Sequence, residues 1–359
     1  MRKEPASHRF DVIDRRIVAA LQVDPRASWS ELGTIVGVSE TTVLRRVQRL
    51  RDSGALIIVG APDPLRCGLG QPVLLHIRTR PGDAPGLAHS LARRGDVRYA
   101  SLLTGRSDLM CELMVPNLGY LRRVLMDELP ATDVIQGTRS EVVLKRFKTR
   151  DQWSHSLLDA GETSHSKQDA DGDPSSRVGR LDEVDAALIR ALSTDGRRSY
   201  ADLSLEVPLS ETAIARRVNA LTASNKLYFV AMVDPAALGF EIEAMFRVRV
   251  ALAQLEPIAL TLAAMRQVRY ISATSGYSDL VVDVICEDTN ALYDFMSNQV
   301  GNIPGVRDVE IDIVLESIKR EYRYPLFTRN TMTIASLPSA TQVPATSAAP
   351  RGGPSRKSP

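Results

Sequence analysis

Residues 39–47 read Ser39-Glu40-Thr41-Thr42-Val43-Leu44-Arg45-Arg46-Val47, and 171 residues later the chain reads Ser210-Glu211-Thr212-Ala213-Ile214-Ala215-Arg216-Arg217-Val218. The offset holds without a gap on either side of this stretch. Asp11 and Asp14 fall on Asp182 and Asp185, Asp63-Pro64 on Asp234-Pro235, Gly105 on Gly276, and Ser107-Asp108-Leu109 on Ser278-Asp279-Leu280. Chance similarity does not keep register over such a span. The 359 residues therefore contain a tandem duplication of one two-domain unit.

The repeated stretch reads as a helix. Ser39 is a good N-cap, and Gly54 stops a helix that starts at Glu40. At about 100° per residue, Val43, Val47 and Leu50 fall on one apolar stripe. The opposite face carries Thr41, Thr42, Arg45, Gln48 and Arg49, whose hydroxyl, amide and guanidinium groups read base edges and grip phosphate. Upstream, Ile13, Ile17, Val18 and Leu21, and then Leu32, Ile35 and Val36, recur at helical spacing before the turn at Gly37-Val38. Two helices across a tight Gly turn make a helix-turn-helix. Any solvated helix face is polar, but the cap, the turn and the preceding helix together favour DNA reading. Arg46 and Arg217 lie on the flank of the apolar stripe, where an ion pair with Asp14 or Asp185 and a DNA contact both fit.

The second copy keeps Ser210, Thr212 and Arg216, with Asn219 in place of Gln48, but Ala213 and Ala220 thin its polar face. Pro208 replaces the turn glycine, which removes a backbone donor. The first module is therefore expected to contribute more binding energy than the second.

After each helical unit the pattern changes. Residues 73–79 alternate as a strand, 85–94 read as a helix, and 97–103 with 109–115 form a hairpin around Gly105-Arg106-Ser107-Asp108. A helix over 118–128 and a long strand over 135–147 complete βαββαβ, the ferredoxin-like order, and the second copy repeats it from 245 to 318. The expected fold is α+β: two copies of a winged-type helix-turn-helix domain followed by a ferredoxin-like βαββαβ domain. The domains fall at 1–60, 66–150, 180–230 and 241–325. Residues 151–179, polar and Asp-rich, read as a flexible linker, and 326–359, rich in Ser, Thr, Ala and Pro, as a disordered tail.

A helix-turn-helix opening with Asp11-x-x-Asp14, the 39–47 stretch, Asp63-Pro64 and a βαββαβ domain with Gly105-x-x-Asp108 resembles the Lrp/AsnC family, the feast/famine transcriptional regulators. The resemblance covers nearly all of 10–148 and again 181–323. It implies sequence-specific binding to double-stranded DNA, assembly into homo-oligomers through the sheet domains, and control by a small effector such as an amino acid. By position, the effector residues it implies are Gly105, Arg106, Ser107, Asp108, Thr138 and Ser140, with Gly276, Ser278 and Asp279 in the second copy. Val309 and Ile311 stand where the family favours hydroxyl residues. The Gly-x-x-Asp loops also fit plain hairpin chemistry, in which Gly supplies φ > 0 and Asp caps the turn. The family usually carries one unit per chain. Here one chain supplies both reading modules, which makes the second DNA encounter intramolecular.

Composition agrees with a packed chain: 44% of residues are hydrophobic and 25% charged. Cys67, Cys111 and Cys286 stand apart, with no CxxC and no metal-ligand spacing, and read as core thiols in a reducing compartment. The first residues lack an apolar signal core, and no apolar run approaches a membrane span, so a cytoplasmic protein with no membrane partner is expected. No nucleophile–base pair or phosphate loop is present, and neither a catalytic residue nor a cofactor is expected. The alternative is an enzyme similar to the sirohaem decarboxylases, which share this fold and want His or Arg around a large porphyrin pocket; of five histidines, only His76 and His89 lie in a folded domain. A protein-interaction scaffold is a third reading.

The net charge of +2 hides an asymmetry: residues 66–150 carry +6 and residues 241–325 carry −5. Opposite charge on homologous sheet domains predicts that they pair with each other more readily than with themselves.

Overall fold

The computed structural model describes residues 10–148 and 181–320. The expected linker over 151–179 lies outside these residues, and so does the expected tail over 326–359.

The first unit opens with α1 (Val12–Val23), capped by the Asp11 carboxylate, and α2 (Trp29–Val36), whose Ser28 and Glu31 form a reciprocal capping box. Gly37 ends α2 at φ +79°, and a Cβ on Gly33 would lie 2.8 Å from the Val38 carbonyl, so this turn closes tightly. Ser39 caps α3 (Glu40–Asp52), which buries the expected stripe of Val43, Val47 and Leu50. A strand follows that the sequence pattern does not reveal, β1 (Leu56–Pro62). The sheet domain then runs β2 (Gln71–Thr79), α4 (Ala84–Ala92), β3 (Val97–Leu103), β4 (Leu109–Val115), α5 (Leu118–Arg123) with a π-helical turn over Val124–Glu128, and β5 (Ile135–Lys148).

The second unit repeats this order as α6 (Glu183–Leu192), α7 (Tyr200–Ser204), α8 (Glu211–Ala223), β6 (Leu227–Val233), β7 (Ile242–Val250), α9 (Leu255–Ala263), β8 (Val268–Thr274), β9 (Leu280–Cys286), α10 (Thr289–Asp294) and β10 (Val306–Arg320). Helix α7 is shorter than its counterpart α2 and stops at Ser204, ahead of Pro208.

The two units join at two places. Strands β1 and β6 pair antiparallel, and at the centre of the ladder Val59 faces its own repeat equivalent, Val230. A pseudo-two-fold axis therefore passes between them. The sheets close into one barrel in the order β10-β3-β4-β2-β5-β8-β9-β7, so the last strand of each unit pairs with an edge strand of the other. Val73, Leu75 and Ile77 of β2 pack under α4 and α5, while Leu74 turns inward beside Met110, Met245 and Val281. The two sheet domains pair with each other within the chain. Ion pairs that join the basic first sheet domain to the acidic second include Lys145–Glu256 at 2.7 Å and Arg106–Glu310 at 2.9 Å.

Between the helical units, Arg197 stacks on Trp29 at 3.7 Å and donates to the carbonyls of Pro25 and Ala27, both at 2.8 Å. Arg51 pairs with Asp195 at 2.7 Å. All three cysteines are buried, and burial pushes the thiols of Cys67 and Cys111 up to about 12 and that of Cys286 to about 11.

Candidate nucleic-acid interface and ligand cleft

Helices α3 and α8 each present a polar face away from the core. On α3, Thr41, Arg45, Gln48 and Arg49 are exposed and Thr42 is half-buried. Ser39 and Thr42 share a hydroxyl hydrogen bond of 2.9 Å, and Gln48 donates to Asp52 at 2.7 Å. Arg49 reaches Asp14 at 2.6 Å, so its guanidinium starts from an ion pair. Arg46 pairs with Asp11 at 2.6 Å and Asp14 at 2.9 Å, and Arg217 repeats this with Asp182 and Asp185. Both flank arginines thus make the ion pairs open to them. The Arg46 hydrogen bond is the main force that holds the Asp11 carboxyl below its ordinary value.

Arg45 and Arg216 carry no ion pair among the described residues and project from equivalent places on the two helices. On α8, Thr212 and Asn219 are also exposed, and Ser210 caps the helix while bonding Thr212 at 3.1 Å. Ala220 supplies no partner for Asp185, so the second face has one cation fewer than the first.

The hairpin loops serve the fold in both copies. Asp108 accepts from the Thr79 N–H at 2.7 Å and its hydroxyl at 3.3 Å, and Asp279 accepts from the Val250 N–H at 2.8 Å. Each aspartate ties its hairpin to the end of the first sheet strand. Gly105 and Gly276 adopt φ of +91° and +125°. A carboxylate from the other unit lies beneath each loop: a Cβ on Gly105 would meet Asp312, and one on Gly276 would meet Glu141.

Ser278 is buried and donates to both Glu141 oxygens, at 2.9 and 3.0 Å. Burial pushes the Glu141 carboxyl upward, but His76 and the Ser278 bonds more than offset it and hold the group below its ordinary value. A polar chain continues through the barrel. His76 Nε2 lies 3.8 Å from Glu141, and its Nδ1 meets Arg247 at 3.3 Å. Arg247 pairs with Asp312 at 2.6 Å and with Glu310 at 3.2 Å, and Glu310 pairs with Arg106 at the surface.

Beside the first loop opens a cleft of about 680 Å³, lined by Arg78, Thr79, Arg80, Gly82, Gly105, Arg106, Asp108, Gln136 and Arg139 among others. Of the effector residues expected by position, Gly105, Arg106 and Asp108 lie on its wall. Ser107 is buried behind it, and Thr138 and Ser140 stand on β5 opposite Ile77 and Leu75 without lining it. Arg78, Arg80, Gln136 and Arg139 were missed. The signal for two of them was the alternation of Arg78 and Arg80 at a strand end, which reads equally as an ordinary solvated edge. Among the described residues no cluster of His, Cys, Asp and Glu suits a metal ion, and no helix is long and apolar enough to cross a membrane.

Models of two protein families match the chain, each twice: the AsnC-type helix-turn-helix domain over 10–51 and 181–222, and the Lrp/AsnC ligand binding domain over 72–153 and 243–324. An uncharacterized HTH-type transcriptional regulator of Pyrococcus horikoshii is 31% identical over 148 residues, 41% of this chain and 93% of that protein. The HTH-type transcriptional regulator FL11 of the same organism is 31% identical over 147 residues, 41% of this chain and 97% of its own. Each relative thus spans one of the two copies. Among solved structures, the siroheme decarboxylase NirDL superposes with a TM-score of 0.60 at 14% identity, covering 89% of this chain and 95% of that one. That likeness shows the fold, with both units matched together.

Proposed function

The chain belongs to the Lrp/AsnC family of DNA-binding transcriptional regulators, and from that premise we propose that it works as a self-contained pair, with α3 and α8 reading two unequal half-sites. The observation that carries this reading is the placement of Arg45 and Arg216, with no ion pair among the described residues, on two N-capped helices held in one body by the β1–β6 ladder. Where single-unit proteins need two chains for two modules, this chain needs one. Its two sheet domains occupy each other's edges, so further assembly of chains would use surfaces other than strand edges.

Arg45 reads base or phosphate with support from Thr41, Thr42, Gln48 and Arg49, whereas Arg216 has Thr212 and Asn219 beside it and alanines at the other two places. Titration of operator DNA at fixed salt tests the reading. Arg45→Ala is expected to cost about 1–3 kcal/mol and Arg216→Ala clearly less; equal losses would overturn the asymmetry.

An effector acts through the sheet domains, at the cleft beside Gly105, Arg106 and Asp108. The second loop, with Gly276, Ser278 and Asp279, has Glu141 lodged beneath it and is the poorer candidate. A sirohaem-decarboxylase-like enzyme remains the competing reading, favoured by the shared two-unit fold. Tetrapyrrole absorbance in the purified protein supports that enzyme, and a colourless protein that shifts promoter DNA supports the regulator.

A further inference from the structure

Four guanidinium groups, Arg78, Arg80, Arg106 and Arg139, line the cleft beside the first hairpin loop. Like charges gathered around one hollow repel one another, and they are stable together only with counter-charge. Two have it from the protein: Arg80 pairs with Asp83 at 3.1 Å and Arg106 with Glu310 at 2.9 Å, both largely exposed on the arginine side. Arg78 has no carboxylate partner among the described residues, and Arg139 lies 5.5 Å over the ring of Tyr277, which also carries Arg249 at 5.3 Å. The acid in the wall, Asp108, is already turned to the Thr79 N–H and hydroxyl.

The duplication supplies an internal control. At the offset of 171, Arg80, Arg106 and Arg139 become Ala251, Tyr277 and Glu310, and only Arg78 keeps its type, as Arg249. The cationic cleft is therefore a property of the first copy and not of the shared fold. Arginine in place of lysine is also informative, because its planar fork matches carboxylate and phosphate oxygens two at a time. The volume falls within the range of about 300–1,000 Å³ common for small-molecule sites.

We propose that this cleft binds a small metabolite bearing two or more anionic groups, carboxylate or phosphate, one molecule per chain. Arg78 and Arg139 supply the primary contacts, and Arg106 is recruited from Glu310. The proposal rests on the reading of the sheet domains as the effector-holding part of a regulator, and it replaces a plain zwitterionic amino acid with a more highly charged ligand.

Calorimetric titration of the full chain at constant ionic strength tests it, with pyrophosphate and citrate as probes and leucine as the zwitterionic control. One site per chain for pyrophosphate or citrate is expected, and which of the two binds tighter separates phosphate from carboxylate chemistry. Arg139→Gln and Arg78→Gln should each weaken binding at least tenfold, and Glu310→Gln, which releases Arg106, should tighten it. Thermal melting checks that the variants fold, and the Glu310→Gln arm does not depend on removing an arginine. Absence of binding by both anions, equal binding in wild type and the arginine variants, or preference for leucine would each overturn the proposal. So would weaker operator binding in Arg78→Gln and Arg139→Gln with anion affinity unchanged, since the cleft would then be a DNA-phosphate contact. No DNA is present in the anion titration, so its failure is distinguishable from failure of the DNA-reading assignment.

Discussion

Asp14 is 3% exposed, yet it holds Arg46 and Arg49 at 2.9 and 2.6 Å. Removing its charge leaves Arg46 with Asp11 alone and Arg49 without this partner, and it weakens two charge-assisted hydrogen bonds at a buried position. Asp14→Asn is therefore expected to destabilise the first helical unit by about 2–3 kcal/mol, read from denaturant midpoints. Its equivalent Asp185, which holds one arginine and is more exposed, should cost less on Asp185→Asn. Lys148 offers a pH test. Its ammonium donates to the carbonyls of Ala263 and Met265, and burial pulls its pKa down to about 8. The unfolded chain holds that proton up to about 10.4, so between these values the unfolded state binds more protons and stability rises with pH. The wild type should therefore gain stability relative to Lys148→Met as pH climbs from about 8 to 10; a difference that stays flat or narrows would contradict this.

At the scale of elements, the turn between α6 and α7 is pressed against β1. A Cβ on Gly196 would lie 2.7 Å from the Val59 carbonyl carbon, while the Gly196 N–H donates to Ile58 at 2.8 Å. Gly196→Ala should cost about 1–3 kcal/mol through overpacking, seen as a lowered melting temperature. The helices and the βαββαβ order were legible because caps, stripe and alternation are local signals, and hairpin strands β3 and β4 fall where the pattern puts them. Strands β1 and β6 were not legible. Residues 56–62 are a short apolar run that suits strand or buried helix alike, and what decides between them is a partner some 171 residues away. The cleft was hidden by folding within the first copy, since its arginines come from the end of β2, the loop after it, the hairpin and β5. Glu141 and Asp312 look in sequence like polar faces of edge strands. Barrel closure buries them, and closure is a relation between copies that neither copy shows alone.

For the whole molecule, the joints between the units lie within one chain, so unfolding should not depend on dilution. The denaturant midpoint is expected to stay constant over a hundredfold range of protein concentration, whereas an interface between chains would make it rise with concentration. The direct meeting of His76 and Arg247 reaches further than stability. These two residues hold the same place in their respective copies, so the symmetry that brings them together would set histidine against histidine in a pair of first units. In a pair of second units it would set guanidinium against guanidinium, buried in the barrel. Each half has kept a side chain that only the other half can answer. The two halves are therefore not interchangeable at this point: each presents to the axis a side chain matched to the other half rather than to a copy of itself.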